Sequence, residues 1–383
     1  MHTDVSIARC AQYDAGSCRR ALEEVLTPLG GLDWVREGMR IAVKVNLVSA
    51  MPPEDAATVH PTLLCELVRM LTARGASVVL GDSPGGLYTP AHLSRVYDVT
   101  GMHECEKYGA QLNQDLTQAV ASFPEAVCAR QFTYTAWLDK ADTIIDFCKL
   151  KSHGMMGMSN AAKNLFGVIP GTMKPEYHYK YPDAGDFSNM LIDLNEYFKP
   201  RLCICDAVVC MEGNGPTQGT PVPLGAVAAS LSPHKLDLLC AALIGQSAKD
   251  VPTLAAAQAR GLIPESAEAL SVSGDWRSLC KPDFVVPKAQ KSIATFHLGG
   301  GLLGRLTGSI ARTALTSIPR VQPKECVGCG KCANICPAKA IVMERKLPKI
   351  DRARCIHCFC CQEFCPKGAM KVHRPLIARL LNR

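Results

Sequence analysis

The chain has 383 residues, 48% hydrophobic and 20% charged, a balance that fits two or three globular domains and exceeds one small core. Its net charge of +7 is uneven: from Val321 onward thirteen Lys and Arg face four acids, so the remainder is slightly acidic. No basic stretch leads into an apolar core at MHTDVSIARC, and no apolar run approaches the ~20 residues of a membrane span, so a cytoplasmic protein without a transmembrane segment is expected.

Predicted strands and helices then alternate. RIAVKVNLV (40–48) is a β-rich run, and PTLLCELVRMLTARG (61–75) repeats apolar residues at helical spacing up to Gly75. ASVVLGDSPGG (76–86) predicts a strand ending in a turn, and SRVYDVTGMHECEKYG (94–109) the next helix. ADTIIDFCKL (141–150) predicts a strand running into KSHGMMGMSNAAKNLFG (151–167), and a helix is expected over 186–198. RLCICDAVV (201–209) and GAVAASL (225–231) predict strands on either side of the loop EGNGPTQG, and PHKLDLLCAALIG (233–245) a helix. Regular alternation predicts an α/β domain, a mostly parallel sheet with flanking helices. Ligands of such sheets sit beyond the C-terminal strand ends.

Those ends carry polar residues. Lys44 and Asn46 close one strand, and Asp82 and Ser83 the next. Lys149, Lys151 and His153 follow a third, with Lys163 and Asn164 one or two helical turns on, and Glu212, Asn214 and Thr217 lie on a loop. Converging lysines, asparagines and a histidine suit an anionic small-molecule substrate bearing carboxylate or phosphate. Singly, each lysine is as well explained by snorkelling or by a nearby acid. Lys44, Asn46, Lys149, Lys163, Asn164 and Asn214 are the candidate substrate ligands, and Lys151 and His153 the candidate proton donors. No GxGxxG follows a strand, and GNGPTQG lacks the Lys-Ser/Thr of a phosphate loop, so no motif supports nucleotide or flavin.

Of twenty cysteines, nine fall between Cys326 and Cys365 and eleven are scattered before them. Two runs share the spacing C-x2-C-x2-C-x3-C-P, the spacing of bacterial two-cluster ferredoxins, where three thiolates of one loop hold one cubane and the fourth reaches the other. The expected sets are Cys326, Cys329, Cys332 and Cys365 for one [4Fe–4S] cluster and Cys355, Cys358, Cys361 and Cys336 for the second, with Cys360 spare. Tetrahedral zinc needs two CxxC pairs instead. AIVMERKLPKID (340–351) predicts strand, turn, strand, and GAMKVHR (368–374) a matching strand, giving a small α+β module. Two oxidised clusters bring about −4, which the basic surplus offsets, so no nucleic acid partner is expected. Cys203 and Cys205 share a strand face, with Cys210 expected beyond the strand; these and Cys148 read as core filling. Met155, Met156 and Met158 read as flexible packing around a pocket.

From about Pro323 to His373 the chain resembles the two-cluster bacterial-type ferredoxin domain, which implies single-electron transfer. VKVNLV, GDSPGG, IIDFCKLKSHGMMGMSNAAKNLFGVIPG, DLNEYFKPRLCICDAVVCMEGNGPTQG and LDLLCAALIG, in this order and spacing, resemble the domain-of-unknown-function family numbered 362. That resemblance covers about Val5 to Gly300. Many members carry such a C-terminal module, so it implies an iron–sulfur protein and leaves the substrate open; the family's Asp early in the helix after AS matches Asp237. The expected division is an α/β domain at 1–300, a linker at 301–320, a 2[4Fe–4S] ferredoxin-like domain at 321–373 and a basic tail at 374–383. The leading expectation is an oxidoreductase of anaerobic metabolism that passes electrons between the clusters and an anionic molecule. A non-catalytic carrier docking on a redox partner protein is the alternative, followed by structural clusters beside a non-redox site. A cluster close to the strand ends separates the first from the others.

Overall fold

Apolar runs become strands and amphipathic runs become helices over the residues that the computed structural model of the protein describes, 2–287 and 317–373. The expected linker lies outside them up to residue 316, as do the tail at 374–383 and the last residues assigned to the large domain. Strands β1 (Val5–Arg9), β2 (Arg40–Val45), β3 (Ser77–Gly81) and β4 (Ala110–Leu112) come first. A separate antiparallel hairpin of β5 (Gln118–Ser122) and β6 (Gln131–Thr135) follows. β7 (Thr143–His153), β8 (Gly157–Ser159), β9 (Leu202–Glu212), β10 (Thr220–Ser230) and β11 (Val272–Ser273) complete the large domain.

One sheet takes nine of these strands in the order β11-β1-β10-β9-β7-β2-β3-β4, with β8 folded back on β7. From β9 through β7, β2 and β3 to β4 all pairs are parallel, so their C-terminal ends meet on one edge. The sheet is mostly parallel, as expected, and only β10, β1 and β8 introduce antiparallel pairs. β7 is buried without a break from Ile145 to His153, the pattern of a strand covered on both faces. In β9 the faces alternate: Leu202 and Ile204 join a core with Leu22 and Leu67, while Cys203 and Cys205 join another with Cys148 and Leu239. The scattered cysteines there fill core, as expected. β9 runs on to Glu212 and includes Cys210, because β10 pairs with it out to that end.

Three local expectations shift. β10 begins at Thr220, ahead of the run that reads as a strand; Pro221 and Pro223 are tolerated because β1 pairs only from Ala226 onward and leaves them an edge. The helix expected over 94–109 is a helix over Pro90–Thr100, capped by Thr89, and a 3-10 stretch over Met102–Tyr108. Gly101, with φ of 73°, makes the break. The helix expected from Asp186 starts at Ala184, capped by the Asp183 carboxylate.

In the C-terminal module β13 (Ile341–Glu344) and β14 (Leu347–Ile350) form the expected hairpin. β15 (Met370–His373) pairs with β12 (Ile318–Val321), which starts inside the stretch read as linker. Phe359, from the second cysteine run, is buried in one cluster with Met155, Met156 and Phe166, so this run sits on the strand ends of the large domain.

Candidate functional site

Five lysines and two histidines converge at that edge, and their partners differ. Lys44 of β2 meets the Asp82 carboxylate at 2.8 Å, both buried, and donates to the Val45 carbonyl at 2.7 Å. Lys149 of β7 meets Asp206 at 2.8 Å and donates to the Tyr13 hydroxyl, which donates to the same carboxylate. Both were expected to bind substrate. Their charges are instead answered inside the protein, the simpler of the two explanations open to each. Asn46 and Asn164 hold one another at 3.0 Å, and Asn164 also donates to Asp146. The Asn214 amide donates to Gln218, and its carbonyl accepts from Gln362 of the module.

The other lysines have no carboxylate within ion-pair distance among the described residues. Lys151 donates to the Asn46 side chain at 2.8 Å and to the Ala57 carbonyl at 2.6 Å. Burial, with Lys163 nearby, pulls its ammonium down to about 7. Lys163 has no hydrogen-bond partner there and stands 5.8 Å from the Phe166 ring centroid; burial lowers its pKa too. Lys174 stands at the same 5.8 Å from Phe166 and donates to the Ser83 and Ile169 carbonyls. Burial brings Lys174 to about 7. His178 packs edge-on against Phe166 and flat on Phe187, and its buried Nδ1 has no partner. Lys174 and His178 escaped sequence reasoning, since they follow no strand; the Lys-Pro at a helix start was the only local signal.

The module completes this edge. The Nδ1 of His153 accepts the Met155 and Met156 amides at 3.2 Å, which leaves the proton on Nε2. That atom lies 2.8 Å from Oε1 of Glu363, close but outside hydrogen-bond geometry. Burial, reinforced by Lys163, keeps His153 neutral, with its pKa lowered to about 4. Burial alone would raise the Glu363 carboxyl, yet His153, Lys163 and His178 together hold it below the ordinary carboxylate range. Gln362 donates to the Asn214 carbonyl at 2.9 Å, Gln218 donates back to the Gln362 carbonyl, and Thr217 donates to that of Glu363. Lys151, His153 and Lys163 thus gather around one carboxylate that sequence reasoning missed, because it stands inside a cysteine motif.

The cysteines fit the iron–sulfur reading. Cys326, Cys329, Cys332 and Cys365 line a single cavity with Met343 and Met370. Cys361 interacts electrostatically with Cys358, Cys355, Cys336 and Cys332, and Cys355 with Cys358 and Cys336, so Cys336 lies within reach of the second run as Cys365 does of the first. Cys360 is buried beside Cys358, within electrostatic reach of Lys163.

No helix among the described residues is long and apolar enough to cross a membrane. A thylakoid-associated protein of Synechocystis sp. is 31% identical over 276 residues, covering 70% of this chain and 83% of that protein. Among solved structures, the lactate racemase apoprotein of Thermoanaerobacterium thermosaccharolyticum aligns at 12% identity and a TM-score of 0.40, over 64% of this chain and 58% of that one. A Thermotoga maritima protein aligns at 10% identity and 0.34, over 56% and 55%. Both alignments span less than two thirds of the solved chain. A 4Fe-4S dicluster domain matches residues 325–369. With residues 41–242 matching the family described as a domain of unknown function, DUF362, the chain belongs to that family and carries an iron–sulfur domain behind it.

Proposed function

We propose that this chain is an iron–sulfur oxidoreductase, in which an anionic small molecule at the strand ends exchanges electrons with two [4Fe–4S] clusters. The observation that supports it most is the seating of Glu363, inside the second cysteine run, against His153 at the end of β7. Cys326, Cys329, Cys332 and Cys365 would hold one cluster, and Cys355, Cys358, Cys361 and Cys336 the other. When bound, the clusters supply single electrons. Lys163 and Lys174 bind the anion beside Phe166. His153 presents an Nε2 proton toward the same space, and Lys151 holds or releases a proton near neutral pH. Lys44, Lys149, Asn46, Asn164 and Asn214 order these groups. A cytoplasmic location belongs to this reading, because unpaired buried thiols such as Cys148 and Cys205 suit a reducing compartment.

The test uses anaerobic, reduced holoprotein freed of excess reductant. Fractionated small anionic metabolites are added while the visible absorbance is followed. Recovery with one fraction, lost in Lys163→Ala at unchanged iron content, is the expected result. No recovery with any fraction, beside rapid exchange with a redox protein, would make the chain a carrier.

A further inference from the structure

The two cysteine runs differ in access. Cys358, Cys360 and Cys361 are buried, whereas Cys329 of the first run is exposed. Beside it Val327 is 61% exposed, and Val327, Lys331 and Lys367 line the same cavity as the four cysteines. Lys346 belongs to this face as well. Gly328 takes a φ of +69° and lies so close to the β13–β14 turn that a Cβ there would stand 2.9 Å from the Lys346 Cβ. Lys331, Lys346 and Lys367 have no ion-pair partner among the described residues. The exposed acids of the module are engaged elsewhere: Glu325 with Lys371, Glu344 with Lys349, and Asp351 with the Ala353 amide.

We propose that an acidic single-electron carrier protein docks on this face, over Val327 and within the ring of Lys331, Lys346 and Lys367. There it is oxidised by one electron and the module is reduced by that electron. Transient electron-transfer interfaces bury less than about 1,200 Å² in total, so one exposed apolar side chain in a charged ring is enough. Complementary charge at such a face speeds encounter and fixes orientation more than it raises affinity. The buried run then faces the large domain and the exposed run faces the donor, a direction that holds whatever the large domain binds.

The test mixes oxidised, full-length holoprotein with a chemically reduced acidic plant-type [2Fe–2S] ferredoxin as probe. Lys331→Glu, Lys346→Glu and Lys367→Glu should each lower the second-order rate about tenfold at low salt, with the difference shrinking at high salt. The exposed Lys249→Glu on the large domain should leave it unchanged. Independently of rate, zero-length carbodiimide coupling of the probe should map to the three module lysines. Rates within about twofold of wild type in all three variants, or couplings confined to the large domain, overturn the proposal. So does a triple variant that stops sedimenting with anionic phospholipid vesicles while its rate with the probe is unchanged, since the face would then contact a membrane.

Discussion

Glu363 of the cysteine module stands 2.8 Å from His153 of β7, and it is the carboxylate that Lys163, His153 and His178 share. Removing one partner of a buried charge cluster leaves the others uncompensated, at roughly 3–5 kcal/mol. Glu363→Ala should therefore destabilise the docked module by about 3 kcal/mol, the lower end, because Glu363 keeps some solvent contact. Since its carboxyl is held below the ordinary range, that contribution is complete above about pH 4.5 and is lost as pH falls through the folded-state value. Urea unfolding at pH 7 and limited proteolysis between the domains read it. A variant as stable and as protease-resistant as wild type would mean that the contact holds nothing together.

The lysines of the edge should separate into two groups by stability. Lys44→Met and Lys149→Met strand the buried Asp82 and Asp206 and should cost about 3–5 kcal/mol. Lys163→Met removes a charge that has no ion pair and reaches Glu363 only at longer range, so it should cost less, about 1 kcal/mol or under. Denaturant midpoints of the three variants decide it, and equal losses would show that Lys163 is as structural as the others.

Anion binding should weaken as pH rises. Lys151 and Lys174 are pulled to about 7, so above that value both are largely neutral in the free protein and an incoming anion must draw protons onto them. Affinity should fall up to about tenfold per pH unit for each lysine between pH 7 and 9. Calorimetry of the active fraction in two buffers of different ionisation enthalpy should show proton uptake at pH 8. An affinity independent of pH would remove both lysines from the site.

Cys360→Ala should retain full iron content, since the spare thiol lies beside Cys358 and outside both proposed ligand sets. Cys336→Ala and Cys365→Ala should each cost up to four irons per chain, counted by iron analysis and electron paramagnetic resonance. Loss of four irons from Cys360→Ala would overturn the ligand assignment.

What the sequence shows of this fold and site follows the range of the forces involved. The strands around Ile145 and Ile204 are mostly apolar runs, broken by Asp146 and Lys149 in one and Asp206 in the other, and the helix Pro61–Thr72 repeats its apolar residues every three or four positions, so both are legible locally. Gathering Lys44, Lys149 and Lys151 at strand ends was legible too, because parallel topology puts such ends together. The partners of those lysines were not. Asp82 and Asp206 neutralise residues 38 and 57 positions away, and Glu363 reaches a histidine more than two hundred positions before it. Pairing of that range is written in the tertiary contacts, and it divided a set of similar lysines into paired and unpaired.

Asp237, the acid matched to the family's pattern, accepts the Ala161 and Ala162 amides at 2.9 and 3.2 Å with its two carboxyl oxygens. It thereby fixes the start of the helix Ala161–Asn164, which carries Lys163 and Asn164. Burial pushes its carboxyl up to about 7. A folded-state value above the unfolded one means that the associated stability is complete below about pH 4 and is lost as pH rises through 7. Asp237→Asn keeps one acceptor oxygen, does not titrate and turns a donor toward the second amide. Its stability relative to wild type should rise between pH 4 and 7, as the wild-type carboxyl loses its contribution, and binding that depends on Lys163 should weaken about tenfold through misplacement of the helix. Asp237→Ala, which leaves both amides unpaired, should cost about 1–3 kcal/mol at every pH. Urea midpoints at pH 4, 5.5 and 7 test the first claim, and an identical slope in wild type and Asp237→Asn would show that the carboxyl does not titrate in the fold.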